Sequence, residues 1–284
     1  MTKYKESIMK AIFFAAACTS ILAVTLICLF LFINGIPAMT KIGIFDFLMG
    51  TTWKPNNTPP SFGILPMILG SIYVTAGAAV IGVPIGILTA VFMAHYCPQK
   101  LYRILKPAIN LLAGIPSIVY GFFGLVVIVP FIRDTFGGAG SSMLAASILL
   151  GIMILPTIVG ISESAIRAIP QSYYEGALAL GASHERSTFF VVLPAAKSGI
   201  MAAIVLGIGR AIGETMAVIM VAGNQARMPA GLLKGVRTLT ANIIIEMGYA
   251  AELHREALIA TGVVLFVFIL IINLLLSLLK RRTG

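Results

Sequence analysis

The sequence predicts an all-α integral membrane protein with six transmembrane helices, and two properties of the chain support this. Only 11% of its 284 residues are charged and 59% are hydrophobic, whereas a soluble domain carries about 25% charged residues. Apolar runs long enough to cross a ~30 Å hydrocarbon core, which takes about 20 helical residues, recur along the chain. A chain that crosses the membrane repeatedly is therefore expected.

Six apolar runs define the predicted spans. They cover residues 11–33, 65–94, 107–131, 143–161, 200–222 and 257–279. The first run follows the basic start MTKYKESIMK, which resembles a signal peptide. It is longer than the about 7 to 15 apolar residues of a signal sequence and lacks a small-x-small cleavage site. We therefore expect this segment to remain as an anchor.

Lysine and arginine residues predict the orientation of the spans, because basic residues are retained on the cytoplasmic side. The N-terminus, segment 95–106, segment 162–199 and the C-terminal tail carry three each, and the longer segments on the other side carry seven together. Both termini are therefore predicted to lie in the cytoplasm. The net charge of +10 follows this topology. Since the basic residues form no patch studded with aromatic side chains, we expect no nucleic-acid partner.

The sequence contains no signature for metal or nucleotide binding. Cys18, Cys28 and Cys97 form no CxxC pair and have no histidine at metal-ligand spacing, so neither a disulfide nor a metal site is predicted. The phosphate-binding pattern G-x-x-x-x-G-K-[ST] does not occur either. We expect no catalytic residue and no cofactor on this chain.

The longest predicted cytoplasmic connection contains the stretch SYYEGALALGASHERSTFFVVLP. Ser172 and Glu175 have the spacing of a capping box, which predicts a helix start, and Gly181 is placed to end that helix. Ser183 is predicted to cap a second helix that runs to Pro194. The pattern therefore predicts a helix, a glycine turn and another helix. Such a loop can also fold in this way merely to cover itself.

The spacing in this stretch resembles the EAA motif of ABC importer permeases, which reads E-A-A, three residues, Gly, nine residues, Ile-x-Leu-Pro. The matching positions are Glu175, Gly176, Ala177, Gly181, Leu193 and Pro194. Gly176 replaces the first alanine and Val191 the isoleucine, and glycine costs about 1 kcal/mol of helix stability relative to alanine. The resemblance implies that the loop 162–199 carries a coupling helix, which docks on a separate ATPase dimer that binds ATP and Mg.

Four further stretches resemble the phosphate-specific importer, and within it the PstC type of permease. They are SFGILPMILGSIYVT (61–75), LLAGIPSIVYGFFGL (111–125), MILPTIVGISESA (153–165) and GRAIGETMAVIMVAGN (209–224). The PstA type shares the GIPSIVYG-like and RAIGET-like elements, but GETMAVIMVAGN looks more like PstC. The resemblance implies transport of inorganic phosphate across the cytoplasmic membrane of a bacterium or archaeon.

The resemblance also implies an architecture and a set of partners. The expected fold is that of a type I ABC importer permease (MetI-like). Residues 1–60 form an N-terminal tail, the first transmembrane helix and an external segment, and residues 61–284 form a permease core of five transmembrane helices. The implied partners are a second homologous permease (PstA type), an ATPase dimer (PstB type) and a periplasmic or lipid-anchored phosphate-binding protein (PstS type), besides membrane lipid.

The external segment before residue 61 is rich in turn-forming residues. Phe45, Phe47 and Trp53 are suited to the depth of the membrane interface, and TTWKPNNTPPSFG is typical of a loop with tight turns. By resemblance, the binding protein docks on the outer loops. A segment that only lies along the lipid is the alternative for this stretch.

Arg210 and Glu214 are the candidate pathway residues. They lie four apart in the fifth predicted span, where a rise of 1.5 Å per residue from residue 200 places Arg210 about 15 Å deep, and they can pair on one helix face. Charges at this depth cost about 2.5 to 3.5 kcal/mol and usually face a pore or a partner. We expect Arg210 to attract phosphate and Glu214 to prevent trapping. A structural ion pair, with Gly209 and Gly213 allowing close helix packing, is the alternative.

The stretch GIPSIVYGFFG also weakens a membrane helix, because it contains Pro116 together with Gly114, Gly121 and Gly124. Broken helices can line a substrate cavity, but glycine and proline are also common in ordinary packed spans. The sequence favours neither interpretation.

Three other functions compete with phosphate import by an ABC transporter. A permease for sulfate, molybdate or another oxyanion is the nearest. An ion-coupled secondary transporter would fit six spans with charges at mid-membrane depth, but it leaves the EAA spacing unexplained. An intramembrane serine protease needs a histidine within the bilayer, and His95, His184 and His254 all fall in predicted loops.

Overall fold

The computed structural model describes residues 2–283, and the side chains of residues 6–275 and 278. The helices are α1 (Thr2–Ile42), α2 (Ile44–Met49), α3 (Leu65–Val91), α4 (Gln99–Gly114), α5 (Ser117–Phe123), α6 (Val129–Phe136), α7 (Met143–Arg167), α8 (Gln171–Ala179), α9 (His184–Ser187), α10 (Leu193–Ala195), α11 (Lys197–Gly213), α12 (Met216–Val221), α13 (Leu239–Met247) and α14 (Glu252–Thr283). π-helical turns cover Phe92–Tyr96, Gly124–Ile128 and Thr188–Val192. Strands β1 (Trp53–Lys54) and β2 (Ser61–Phe62) form a small antiparallel hairpin.

The described helices confirm a multi-span membrane fold. Five are long and apolar enough to cross a bilayer: Glu6–Ile42, Leu65–Tyr96, Ser117–Phe136, Met143–Arg167 and Glu252–Leu275. A sixth span results if His184–Ala195 and Lys197–Gly213, which are bent by 71°, are taken together. The cytoplasmic orientation of the termini stays a prediction, and the side chains of Lys3, Lys5, Lys280, Arg281 and Arg282 lie outside the described residues. The division at residue 60 also stays a prediction.

The third span begins later than the sequence predicts. The apolar run predicts 107–131, whereas the described span is Ser117–Phe136. The chain breaks at Ile115 and Pro116, both extended, with ψ angles of 128° and 141°. Proline has no N–H to continue a helix, so residues 107–114 belong instead to the amphipathic helix α4.

Helix α7 lies at the centre of the helical bundle, between α3 and α11. Its side chains Ile154 and Ile158 are fully buried, and a methyl group at Gly82 or Gly86 of α3 would overlap them. Small residues let helix backbones approach closely in a membrane. The α3–α7 pair is therefore the packed frame against which the broken spans are held.

A second core lies under the β1–β2 hairpin, where Trp53 pairs with Phe62 across the strands. Phe45 is 77% exposed, as expected of an interfacial side chain. Phe47 and Trp53 are instead buried, at 0% and 5% exposure. The prediction that these two lie at the membrane interface is wrong, because the start of α14 and the residues before α3 cover them.

Candidate transport pathway and coupling loop

The predicted third span (107–131) and the predicted fifth span (200–222) are both interrupted, and the helices that follow the two breaks pack together. The sequence predicts an unbroken span at 200–222, but α11 ends at Gly213 and α12 begins at Met216. Helix α12 packs on α5, which follows the break in the third span. A methyl group at Gly121 of α5 would overlap Met220 and Ala217 of α12. Backbone irregularity inside a membrane is tolerated where protein or a polar cavity surrounds it.

Glu214 holds the break in the fifth span. Its backbone is extended (φ −70°, ψ 129°), and its Oε1 accepts hydrogen bonds from the backbone N–H groups of Thr215 at 3.1 Å and Ala217 at 3.3 Å. Its carbonyl oxygen accepts a hydrogen bond from Thr240 Oγ1 at 3.2 Å. A carboxylate at a helix start satisfies N–H groups that have no partner within the helix. Glu214 therefore caps α12.

The predicted Arg210–Glu214 ion pair is wrong. Because α11 ends before Glu214, the carboxylate turns toward α12, and among the described residues the two form no ion pair within 4.0 Å. Arg210 is partly exposed, and no hydrogen bond of its guanidinium to another described residue is formed. Arg210 is thus a cation in a membrane span without a counter-ion from the described part of the chain.

The glycines beside these residues have two different roles. Gly121 and Gly124 are packed, the latter against Val221 and Leu149, whereas no described atom comes within 4 Å of a methyl group placed at Gly114 or Gly213. At the first break, Tyr120 bridges the gap by donating its hydroxyl hydrogen to the carbonyl of Leu112 at 2.8 Å. Sequence reasoning missed Tyr120 and Thr240, because both act across a break that spacing does not predict.

The loop 162–199 folds as a helix, a turn and a helix, with one error in the predicted capping. Helix α8 begins at Gln171 after Pro170, so Ser172 lies inside the helix, and the Glu175 carboxylate accepts a hydrogen bond from Gln171 Nε2 at 2.8 Å. The predicted capping box of Ser172 and Glu175 is wrong, since proline at the cap position already fixes the helix start.

The end of α8 is confirmed as predicted. Gly181 has a φ of +86°, its N–H bonds to the Leu178 carbonyl at 2.9 Å, and the Ala182 N–H bonds to the Ala177 carbonyl at 3.1 Å. These two bonds form a Schellman motif, which favours glycine at the left-handed position. Ser183 Oγ accepts the Arg186 N–H at 3.3 Å and caps α9, also as predicted.

The residues of the EAA-like motif lie on two helices. Glu175, Gly176 and Ala177 lie on α8, where Glu175 and Gly176 are exposed and nothing lies within 4 Å of a methyl group at Gly176. Leu193 packs into the cytoplasmic core and Pro194 is exposed at the start of α10. Leu180, just before the glycine turn, is 91% exposed. The first helix therefore presents an uncovered surface.

A buried carboxylate that the sequence reasoning missed joins α4 to α7. Glu163 is 1% exposed and accepts hydrogen bonds from Tyr102 at 2.7 Å, from Arg167 Nε at 2.8 Å and from Lys106. The hydrogen bond to this carboxylate raises the pKa of Tyr102, so the phenol stays a donor. The spacing of Glu163 and Arg167, four apart on a helix, is the signal that could have found the cluster.

A second buried carboxylate joins the hairpin to α13 and α14. Glu246 is 5% exposed and accepts hydrogen bonds from Trp53 Nε1 at 2.8 Å and Arg237 Nη1 at 2.5 Å, while His254 Nε2 lies 2.8 Å away. Trp53 lies 193 residues from Glu246 in the chain, whereas Arg237 and His254 lie nine and eight residues away, none of them at a helical i,i+3 or i,i+4 spacing. No local pattern in the sequence predicts them.

The described chain combines five or six helices long enough to cross a membrane with an exposed helix–turn–helix loop. The MetNI methionine ABC transporter in an inward-facing conformation has the same fold, with a TM-score of 0.63 at 22% identity over 78% of this chain and 96% of that chain. A bacterial alginate ABC transporter, solved in complex with an alginate pentasaccharide-bound periplasmic protein, has a TM-score of 0.59 at 16% identity and covers 96% of both chains. The MetI-like permease fold is confirmed.

The chain belongs to the family of binding-protein-dependent transport system inner membrane components, whose model matches residues 82–284. It is 41% identical to the probable ABC transporter permease protein YqgH of Bacillus subtilis, over 93% of this chain and 88% of the relative. It is 36% identical to the phosphate transport system permease protein PstC of Mesorhizobium japonicum, over 89% and 84%. It is 33% identical to the probable PstC of Methanocaldococcus jannaschii, over 87% and 84%. The resemblance to PstC-type permeases and the multi-pass inner-membrane location are confirmed.

Proposed function

We propose that this chain is one of two transmembrane subunits of an ATP-driven importer of inorganic phosphate. Relatives named as PstC support phosphate as the substrate. The observation that carries the proposal is that Arg210 has no counter-ion among the described residues. A guanidinium without a counter-ion from the described residues lies in the last turn of α11, next to the break before α12, and an unpaired charge within a membrane span usually serves transport. A phosphate ion is a strong acceptor for a guanidinium.

The chemistry at the break suits passage rather than tight binding. Arg210 lowers the electrostatic barrier for an anion, because it supplies positive charge where the membrane has none. The Glu214 carboxylate, engaged by the N–H groups of α12, does not neutralise Arg210 but remains one turn away and repels a phosphate that stays too long. Transport requires attraction weak enough for release.

Energy comes from a separate ATPase dimer of the PstB type, which binds ATP and Mg. Glu175, Gly176, Ala177 and Gly181 form the uncovered surface that docks on the ATPase, and Leu193 and Pro194 pass the movement toward α11. Closure of the ATPase dimer on ATP switches the pathway between outward-facing and inward-facing states. A PstA-type permease completes the pathway, and a PstS-type binding protein delivers phosphate from outside.

Uptake of radiolabelled phosphate into proteoliposomes that contain the complex purified from its own membranes tests this function. We expect ATP-dependent uptake that unlabelled phosphate suppresses and that sulfate and molybdate leave unchanged. A charge-assisted contact is worth about 1.5 to 3 kcal/mol, so Arg210→Leu should lower uptake by about tenfold or more. Arg133→Leu is the matched control, because Arg133 is 55% exposed and, among the described residues, its ion-pair partner is its neighbour Asp134. Suppression by sulfate or molybdate instead of phosphate, or normal uptake by Arg210→Leu, would contradict the proposal.

A further inference from the structure

The coupling helix α8 has few contacts with the transmembrane spans. Most of its side chains are exposed, and it packs mainly on α9 and the π-helical turn Thr188–Val192 of its own loop. Tyr174 is half-buried and packs into a cytoplasmic core built from the ends of α3 and α7, which includes Met93 and Ile166. The Tyr174 side chain therefore connects α8 to both spans.

The Tyr174 ring lies between two histidine rings. The centroid of His95 is 5.4 Å away with the planes 24° apart, and that of His184 is 6.0 Å away with the planes 30° apart. The Tyr174 hydroxyl also hydrogen-bonds to His184 Nδ1 at 2.7 Å. The short bond places the His184 ring beyond the hydroxyl end of Tyr174, so a hydrogen bond joins these two rings, whereas the His95 ring is stacked on the Tyr174 ring. Offset-stacked aromatic rings attract each other beyond their area of contact. The three rings thus form one unit from the coupling loop to the second span.

His95 places one end of this unit on a transmembrane span. It belongs to the π-helical turn Phe92–Tyr96, which continues α3 without interruption. The same turn is held to α7 by Arg167, whose Nη2 donates a hydrogen bond to the Met93 carbonyl at 2.8 Å. π-helical turns occur frequently at functional sites. A displacement of Tyr174 therefore acts on the end of α3 where it is attached to the central helix.

A partly open cleft of about 260 Å³ lies beside the stack, lined by His95, Arg167, Gln171 and Tyr174 among others. Because this side of the stack faces a cleft rather than packed side chains, no neighbour can replace the contact if the Tyr174 ring is removed.

We infer that the stacked rings of Tyr174 and His95 transmit the movement of the coupling helix to the second span, with Tyr174 as a positioning residue. The inference rests on the proposed function, since an ATPase must move α8. It adds a path: movement enters α3 through a side-chain stack, besides entering α11 through the continuous backbone.

The ratio of phosphate imported to ATP hydrolysed, measured on the complete complex in proteoliposomes, tests the inference. Tyr174→Leu removes the ring contact with His95, whereas Tyr174→Phe keeps that contact and loses only the hydrogen bond to His184. Tyr173→Leu is the matched control, because Tyr173 is 53% exposed on the same helix. We expect Tyr174→Leu to lower the ratio at least about fivefold, the low end of typical coupling between sites. Tyr174→Phe should stay near the wild-type ratio, and Tyr173→Leu should change uptake and hydrolysis together.

His95→Leu breaks the stack from the side of the span, so it tests the inference even if Tyr174→Leu fails to assemble. It should lower the ratio as Tyr174→Leu does, and the double variant should be no worse than either single variant, because both remove one contact. An unchanged ratio in His95→Leu, additive losses, or an equal loss in Tyr173→Leu would overturn the inference alone. A wild-type complex that retains no ATPase would overturn the proposed function and the inference with it.

Discussion

Arg210 and Glu214 illustrate at the scale of single residues how two membrane charges four positions apart can have different partners. The Glu214 carboxylate accepts hydrogen bonds from two backbone N–H groups at the start of the helix that follows it. Its charge is thereby stabilised without the arginine. The Arg210 guanidinium is left to act on something outside the described chain, which is the requirement for a transient anion site.

This difference predicts that removing both charges does not restore transport. If the two were an ion pair, Arg210→Leu would leave Glu214 unbalanced, and Arg210→Leu/Glu214→Leu would recover part of the activity. Since Glu214 caps α12, we expect the double variant to import phosphate no better than Arg210→Leu in the proteoliposome assay. Recovery of uptake in the double variant would restore the ion-pair interpretation.

A second residue-scale prediction concerns the buried Glu163. Tyr102→Phe removes one hydrogen bond to this carboxylate but no ring surface, and a bond to a charged group is worth about 1.5 to 3 kcal/mol. We expect a lower apparent melting temperature of the purified protein, by about 2 to 4 °C for each kcal/mol lost. Tyr96→Phe is the control, because Tyr96 is 39% exposed and its hydroxyl has no hydrogen bond among the described residues. Equal shifts in the two variants would contradict a special role of Tyr102.

At the scale of elements, Gly176 within α8 and Gly181 in the turn after it should respond to alanine in opposite ways. Gly181→Ala forces alanine into the left-handed region, which costs about 1 to 2 kcal/mol. Gly176→Ala fits open space and raises helix stability by about 1 kcal/mol. We expect Gly181→Ala to lower, and Gly176→Ala to raise or preserve, the resistance of the loop to limited proteolysis. A loss of resistance in Gly176→Ala would mean that the space around Gly176 is not open.

Some helix ends can be predicted from the sequence, whereas the helix break at Glu214 and the burial of two aromatic residues cannot. The end of α8 at Gly181 and the start of α9 at Ser183 depend on hydrogen bonds between residues at most five positions apart, so the local sequence pattern predicts both. The break at Glu214 depends partly on Thr240, which is 26 residues away, and the apolar run across it hides the interruption. Phe47 and Trp53 look interfacial because interfacial and buried aromatic residues have the same local pattern. Only contacts with distant helices distinguish them.

For the whole molecule, the orientation in the membrane is predicted from the distribution of basic residues, and this prediction has a direct test. Cys97 is partly exposed at the end of the second span, which is predicted to be cytoplasmic, and Asn57 is exposed on the predicted external hairpin. In intact cells carrying Cys18→Ser/Cys28→Ser, we expect a membrane-impermeant maleimide to label Asn57→Cys and to leave Cys97 unlabelled until the membrane is opened. Labelling of Cys97 in intact cells would invert the topology.

The same scale carries the claim that this chain is half of a pathway driven by another polypeptide. The α8 surface is uncovered, and Arg210 lies at a helix break, in a pathway that a second permease would complete. Native mass spectrometry of the tagged chain, purified gently from its own membranes, tests this claim most directly. We expect one copy of this chain, one homologous permease and a P-loop ATPase dimer. A stable complex that contains only copies of this chain and imports its substrate without ATP would contradict it.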